Sequence, residues 1–309
     1  MANIVFLGTP QYAVPAMRAL MEAGHDISLL LCQPDKRQGR GHAIRPPATK
    51  IYALENRIEV HQPPHFTDSR VIDCLKRRNA DFFVVVAYGK ILPKAVLRIP
   101  KYGCVNAHGS LLPKWRGASP IQYTLLAGEN VAGVSTILMD EGMDTGDVLL
   151  SGRIPVDDDI MVGQLSEKLS IMSARLLVQT IAQFQTLAPC RQNHDAATYA
   201  PLILKKDSIV DWNRSADEIY NRYRALTPQP GIYTVFRRKR LGLKSLRPDF
   251  GIRSGDAPGT IISISSDAIA VRAKKGGIRI FVCQPENRKI ISAREFANGY
   301  RAKHGERMG

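Results

Sequence analysis

The densest chemical signal in the chain is Val105-Asn106-Ala107-His108-Gly109-Ser110-Leu111-Leu112-Pro113-Lys114-Trp115-Arg116-Gly117-Ala118. Side chains alternate between the faces of a strand, so Asn106 and His108 point to the same side if they lie on one. A carboxamide N–H can hold an oxygen that gains negative charge, and an imidazole exchanges protons near neutral pH. Gly109 lets a ligand approach the backbone. The second signal is the run from Met139 to Asp147, in which Gly142 and Gly146 frame Asp144. That places Asp144 in a turn between strands, from which its carboxylate can meet His108 and orient or charge it. Asp140, Glu141, Asp144 and Asp147 together raise a metal site, but they lack the alternating pattern of a calcium loop and no His or Cys lies nearby. No metal is expected; the plain alternative for this segment is a solvated acidic turn. Ser110 does not sit in a nucleophile elbow. His25, His42, His61, His65, His194 and His304 fall in polar or loop-like contexts and read as structural or exposed.

These groups need a frame. Residues 3–7 form an apolar run ending at Gly8-Thr9-Pro10. An amphipathic helix follows, with Pro15 in its first turn, Val14, Met17, Leu20 and Met21 at helical spacing, and Gly24 at its end. Residues 27–32 and 82–86 read as strands, the latter continuous and β-branched, as in strands buried on both faces. Further strands are expected from 105–107, over 133–139 and over 148–154, and a long helix over 162–184. This alternation predicts an α/β fold built on a doubly wound, mostly parallel sheet, with ligands beyond the carboxyl ends of the strands. Gly8-Thr9-Pro10 is not G-x-G-x-x-G and supports a dinucleotide only weakly.

Residues 33–50 (QPDKRQGRGHAIRPPATK) break the pattern. Lys36, Arg37, Arg40, Arg45 and Lys50, with Gly39 and Gly41 beside Arg40, make a segment too long and polar for an ordinary strand–helix turn. It is either a mobile surface loop or a basic finger for an anionic partner. Ala188-Pro189, Asn193, Asp195 and Pro201 mark a linker. Beyond it, short strand-like runs at 232–236, 259–264, 268–273 and 278–282 predict a small β-barrel or sandwich. The domains expected are therefore 1–187, a linker over 188–206, and 207–309.

Charge divides along the same line. The chain carries 43 Lys and Arg against 28 Asp and Glu, a net +15. Up to Leu204 there are 21 basic and 18 acidic residues; beyond it there are 22 and 10. The last third thus holds +12, a density that attracts polyanions, nucleic acid above all, although a solubilising surface would also carry it. No stretch reaches the roughly 18 apolar residues of a membrane span, and the N-terminus lacks a signal-peptide pattern, so a cytoplasmic protein is expected. The five scattered cysteines fit buried free thiols.

NAHGSLLPKWRGASPIQ and MDEGMDTGD resemble the two signature segments of the folate-dependent formyltransferases. QPDKRQGRG, VVVAYGKILP and VFLGTP resemble the branch that formylates methionine on initiator tRNA. The resemblance covers nearly all of residues 1–185; the last third matches in placement and charge more than in motif. It implies a bacterial cytoplasmic enzyme with a Rossmann-like domain followed by a small open, OB-like β-barrel that holds tRNA. It implies 10-formyltetrahydrofolate as co-substrate, initiator Met-tRNA as acceptor and a monomer. Asn106, His108 and Asp144 fall on the family's catalytic positions, and Ser110, Leu111, Leu112 and Pro113 on its folate-contacting segment. Arg40 falls on the loop that enters the acceptor stem, with Lys36, Arg37 and Arg45 beside it. Met143 and Ser119 depart mildly from the commonest pattern and touch none of the catalytic trio. A sugar-nucleotide or glycinamide-nucleotide acceptor, or water, would keep the trio but give no reason for the +12 tail. An RNA-binding protein with a degenerate catalytic domain would leave the intact trio unexplained, and the first strand–helix turn gives a nicotinamide-dependent oxidoreductase only feeble support.

Overall fold

The apolar runs of the first half pair into one seven-stranded sheet. The protein, as a computed structural model, is described over residues 1–38, 43–66 and 68–309. The strands and short hairpin of this half are β1 (Asn3–Gly8), β2 (Asp26–Leu31), β3 (Lys36–Gln38), β4 (Ala43–Arg45), β5 (Val60–His61), β6 (Phe82–Val86), β7 (Cys104–His108), β8 (Val131–Leu138) and β9 (Val148–Pro155). The sheet runs β5-β2-β1-β6-β7-β8-β9, and β3 and β4 form a separate two-stranded sheet. The first five strands in that order are parallel, while β8 lies antiparallel to β7 and β9 antiparallel to β8. The sheet is therefore mostly parallel and Rossmann-like, as expected.

The helices of this half are α1 (Val14–Glu22), α2 (Ala48–Glu55), α3 (Ser69–Arg77), α4 (Lys94–Leu97), α5 (Pro120–Leu126) and α6 (Val162–Gln183). Pro15 occupies the first turn of α1, and Gly24, at φ +81°, follows its end in the left-handed conformation that glycine adopts without strain. Every residue of β6 is buried. Alternate residues Val5, Leu7, Leu29, Leu31, Phe83 and Val85 form one core with Leu75 of α3. On β9, a Cβ at Gly152 would lie 2.8 Å from Met172 Sδ of α6, so the glycine allows close packing of helix on sheet.

Contacts divide the chain into two units. The first is Met1–Pro120, Val131–Val156 and Gly163–Pro201; the second is Ile121–Asn130, Asp157–Val162 and Leu202–Gly309. In the second, α7 (Ala216–Leu226) precedes β10 (Ile232–Phe236), β11 (Lys239–Asp249), β12 (Ile261–Ile264), β13 (Ile269–Arg272), β14 (Gly277–Pro285), β15 (Ile291–Ser292) and α8 (Ala293–Tyr300). The strands form a separate antiparallel sheet, β10-β11-β14-β13-β12, with β15 on β14. The chain's last residues hydrogen-bond at both ends of this path: Met308 N donates to Gly259 O (2.8 Å) and Gly309 N to Val235 O (2.8 Å). Capping boxes start both helices, Ser215 with Glu218 and Ser292 with Glu295. No helix among the described residues is long and apolar enough to cross a membrane.

Candidate active site

Asn106 and His108 stand two apart on β7, and both are buried, 9% and 6% exposed. Their strand pairs with β8 through Ile137 and Ser135. Past the end of β8 the chain turns through 139–147 before β9, and that turn carries Asp144 to them. Asp144 Oδ1 lies 3.5 Å from His108 Nδ1 and accepts a 3.4 Å hydrogen bond from Asn106 Nδ2. Gly117 N donates to the other carboxylate oxygen at 2.8 Å. His108 Nε2 sits 2.9 Å from the Trp115 carbonyl oxygen, so each ring nitrogen faces an oxygen acceptor. A carboxamide, an imidazole and a carboxylate thus converge beyond the carboxyl end of a central strand, where open α/β sheets bind ligands.

The turn that delivers Asp144 is tightly built. Leu138 N donates to Asp147 O at its base (3.0 Å), and Asp140 Oδ1 accepts from Gly142 N (3.0 Å) and Thr145 Oγ1 (2.5 Å). A Cβ at Gly146 would fall 1.9 Å from Leu138 O, so only glycine fits. Asp144 itself takes φ +55°, a left-handed conformation that costs a non-glycine residue on the order of 1–3 kcal/mol. Each neutral hydrogen bond returns only about 0.5–1.5 kcal/mol, so several are needed to hold it.

Those bonds come from a part of the chain that the sequence marks only as linker. Gln192 is 6% exposed, and its Nε2 donates to Asp144 O (2.9 Å) and Gly146 O (2.6 Å). Its Oε1 accepts from Arg116 Nε (3.2 Å) and Nη2 (2.7 Å), and Nη2 of Arg116, a residue 2% exposed, also lies 3.2 Å from His194 Nδ1. Residues 190–200 run along both site loops. Cys190 exchanges backbone hydrogen bonds with Val148 (2.8 and 2.9 Å), Thr198 Oγ1 accepts from Trp115 N (2.9 Å), and Ala200 N donates to Arg116 O (2.8 Å). Sequence reasoning missed Arg116 and Gln192. Separations of 48 and 76 residues leave no local signal for them.

Ser110, Leu111, Leu112 and Pro113 follow β7 directly. Ser110 is buried, and its hydroxyl donates to Lys114 O (2.6 Å), so it is spent on the turn. Ser135 Oγ of β8 donates to Ser110 O (2.9 Å) and accepts from Leu112 N (3.1 Å), which fixes the segment. Leu111, Leu112 and Pro113 stay half-buried, three to five residues after His108 in the chain. Gly133 makes room for Leu111, because a Cβ there would lie 2.4 Å from Leu111 Cδ2. Lys36 and Arg45 are exposed and register opposite one another in the β3–β4 hairpin. They line a cavity of about 490 Å³ with Thr9, Gln11, Gln33 and Ile51. Arg40 lies outside the described residues, as does the side chain of Arg37. Among the described residues one group could offer metal ligands, Glu59, His61 and Cys74. Arg78 already occupies it, 2.6 Å from Glu59 and 3.9 Å from the Cys74 sulfur, and a guanidinium there opposes a cation.

A family model described as formyl transferase matches residues 2–181, and one described as formyl transferase, C-terminal domain, matches 202–301. The methionyl-tRNA formyltransferase of Caldicellulosiruptor saccharolyticus is 42% identical over 307 residues, which cover 98% of this chain and 99% of that protein. That of Thermodesulfovibrio yellowstonii is 42% identical over 306 residues, 98% of each. Among solved structures, an N-formyltransferase from Helicobacter canadensis in complex with folinic acid and dTDP-3-aminofucose has a TM-score of 0.68 at 15% identity, covering 92% of this chain and 100% of that one. HypX from Aquifex aeolicus in complex with tetrahydrofolic acid has a TM-score of 0.62 at 14% identity, covering 99% and 48%. At such identities the likeness is one of fold. The sequence relatives run the length of the chain, and together with the two matched models they make it a member of the formyl transferase family.

Proposed function

We propose that this chain transfers the formyl group of 10-formyltetrahydrofolate to the amino group of methionine on initiator Met-tRNA. The observation that carries the reading is the meeting of Asn106, His108 and Asp144 within about 3.5 Å beside a half-buried apolar segment. The amine nitrogen attacks the formyl carbon, a C–N bond forms, and the bond from that carbon to N10 of the folate breaks. Asn106 Nδ2 holds the formyl oxygen as it gains charge; one such donor is worth ~10²–10³ in rate. His108 stabilises that charge and gives a proton to the departing N10. Asp144 supports the charged imidazole and takes the proton that the amine loses. The nucleophile belongs to the substrate, so no covalent enzyme intermediate is needed.

In this reading Ser110, Leu111, Leu112 and Pro113 contact the folate. Lys36, Arg37, Arg40 and Arg45 meet the acceptor end of the tRNA, and residues 207–309 hold its phosphates as a basic domain joined through 188–206 to a catalytic domain, 1–187. The protein works as a cytoplasmic monomer. The name of the full-length relatives supports the acceptor, and the +12 of the last third supports a polyanionic one. The test is formyl transfer to initiator Met-tRNA, with elongator Met-tRNA and a sugar-nucleotide amine alongside. Transfer to the initiator alone is expected; transfer to the small amine with neither tRNA used would refute the acceptor.

A further inference from the structure

Gln192 lies between the two segments that match the family models, yet its amide group is fully engaged with the candidate site. Both of its N–H bonds go to main-chain carbonyls of the Asp144 turn, at Asp144 and Gly146. Its carbonyl takes both hydrogen bonds from the buried Arg116. Arg116 is itself in the loop that returns Gly117 N to the Asp144 carboxylate and Trp115 O to His108. One buried amide therefore ties the backbone of the left-handed Asp144 to the loop that contacts both the carboxylate and the imidazole. We propose that Gln192, oriented by Arg116, is a positioning residue that sets where the Asp144 carboxylate stands relative to His108 and Asn106. This rests on the reading of Asp144 as part of the reacting site.

The chemistry of the amide separates this role from simple burial. If Gln192 served only to satisfy Arg116, glutamate would serve better, because a carboxylate pairs more strongly with a guanidinium. As a positioning residue it needs its N–H donors, which glutamate lacks; a carboxylate oxygen would instead face two carbonyl oxygens and push the Asp144 turn away. A displacement of about 1 Å in a reacting group can cost on the order of 10²-fold in rate. Removal of outer partners that orient a reacting group typically costs ~10–100-fold.

The experiment measures steady-state formyl transfer for Gln192→Glu, Gln192→Ala, Asp144→Asn and the double variant Gln192→Ala/Asp144→Asn, with thermal melting of each. Gln192→Glu keeps Arg116 paired and is expected to melt cooperatively, with kcat down about 30-fold and KM for folate and tRNA within about twofold. On the Asp144→Asn background, Gln192→Ala is expected to cost less than twofold more, since residues acting as a unit are not additive. A Gln192→Glu rate within twofold of the wild type, with Asp144→Asn inactive, would overturn the positioning role alone. Full additivity in the double variant would do the same, even if Gln192→Glu were to fold poorly. A wild-type rate for Asp144→Asn would instead overturn the reading of Asp144.

Discussion

Asp144→Asn is the sharpest perturbation of the site because it removes a charge and almost no volume. An amide cannot meet all the partners of the carboxylate. Gly117 N and Asn106 Nδ2 both donate to Asp144, to different oxygens, so one of them must face the new NH2 group, donor against donor. The larger effect is electrostatic. When His108 holds its second proton during transfer, a full charge stands 3.5 Å from the carboxylate, and the two side chains are only 7% and 15% exposed. At the effective dielectric constant of about 20 that suits such sites, this separation corresponds to roughly 5 kcal/mol; in bulk water it would be about 1. Since each 1.36 kcal/mol is tenfold in rate, the expected loss in kcat is on the order of 10³-fold. Phosphate contacts are untouched, so tRNA affinity should stay within about twofold. The assay is single-turnover transfer of labelled formyl group to Met-tRNA, with tRNA binding measured separately. Repeating it across salt adds a second criterion. A pair far closer than the roughly 10 Å screening length at 0.1 M should show the same wild-type-to-variant ratio throughout. A loss under tenfold would mean that the carboxylate does not support charge on His108, and a ratio that collapses with salt would mean that the pair is solvated.

Three further expectations concern the rest of the molecule. Arg238 and Lys239 are exposed at the β10–β11 turn, whereas Arg237 is tied to Glu306 and Arg240 stacks 4.0 Å over Tyr233; Arg238→Ala and Lys239→Ala should each weaken tRNA binding and lower its log–log salt slope by about 1, and unchanged slopes would remove them from the phosphate contacts. Burial pushes the Cys32 thiol up to about 11 and those of Cys104 and Cys283 up to about 12, and Cys74 is buried, while Cys190 is exposed. A chromogenic disulfide reagent at pH 8 should therefore titrate one thiol quickly in the native protein, and loss of that fast phase in Cys190→Ser checks the assignment. Backbone N–H groups of Ser215 and Ser292 hold the carboxyls of Glu218 and Glu295 below the ordinary glutamate value of 4.5. Folded values below unfolded ones give stability that is present above pH 4.5 and lost as pH falls through the folded values, so the melting temperature should drop there, and less steeply in Glu218→Gln/Glu295→Gln.

What could be read from the sequence was local. Strands β1, β2 and β6 announced themselves because strands buried on both faces are near-continuous apolar runs, and Asn106 and His108 of β7 share a face because the period of a strand is two. Asp144 was legible as a turn residue because glycines frame it, and Gly146 is required there by the Leu138 carbonyl. The helices α7 and α8 carried readable starts in Ser215-x-x-Glu218 and Ser292-x-x-Glu295, signals that a strand-centred reading of the last third passes over.

The supporting shell was not legible, for a physical reason. Arg116 and Gln192 meet only because residues 190–200 fold back along β9 and the loop after β7. Nothing in a Gln-Asn-His run distinguishes a solvated amide from one whose four hydrogen-bonding positions are all taken. The groups proposed to react can be recognised from type and spacing because the proposed chemistry demands an amide, an imidazole and a carboxylate. Holding Asp144 at a positive φ demands only donors of suitable geometry, which many side chains at many positions could supply. The identity of the residue that supplies them is fixed by the three-dimensional path of the chain, so it emerges only once that path is known.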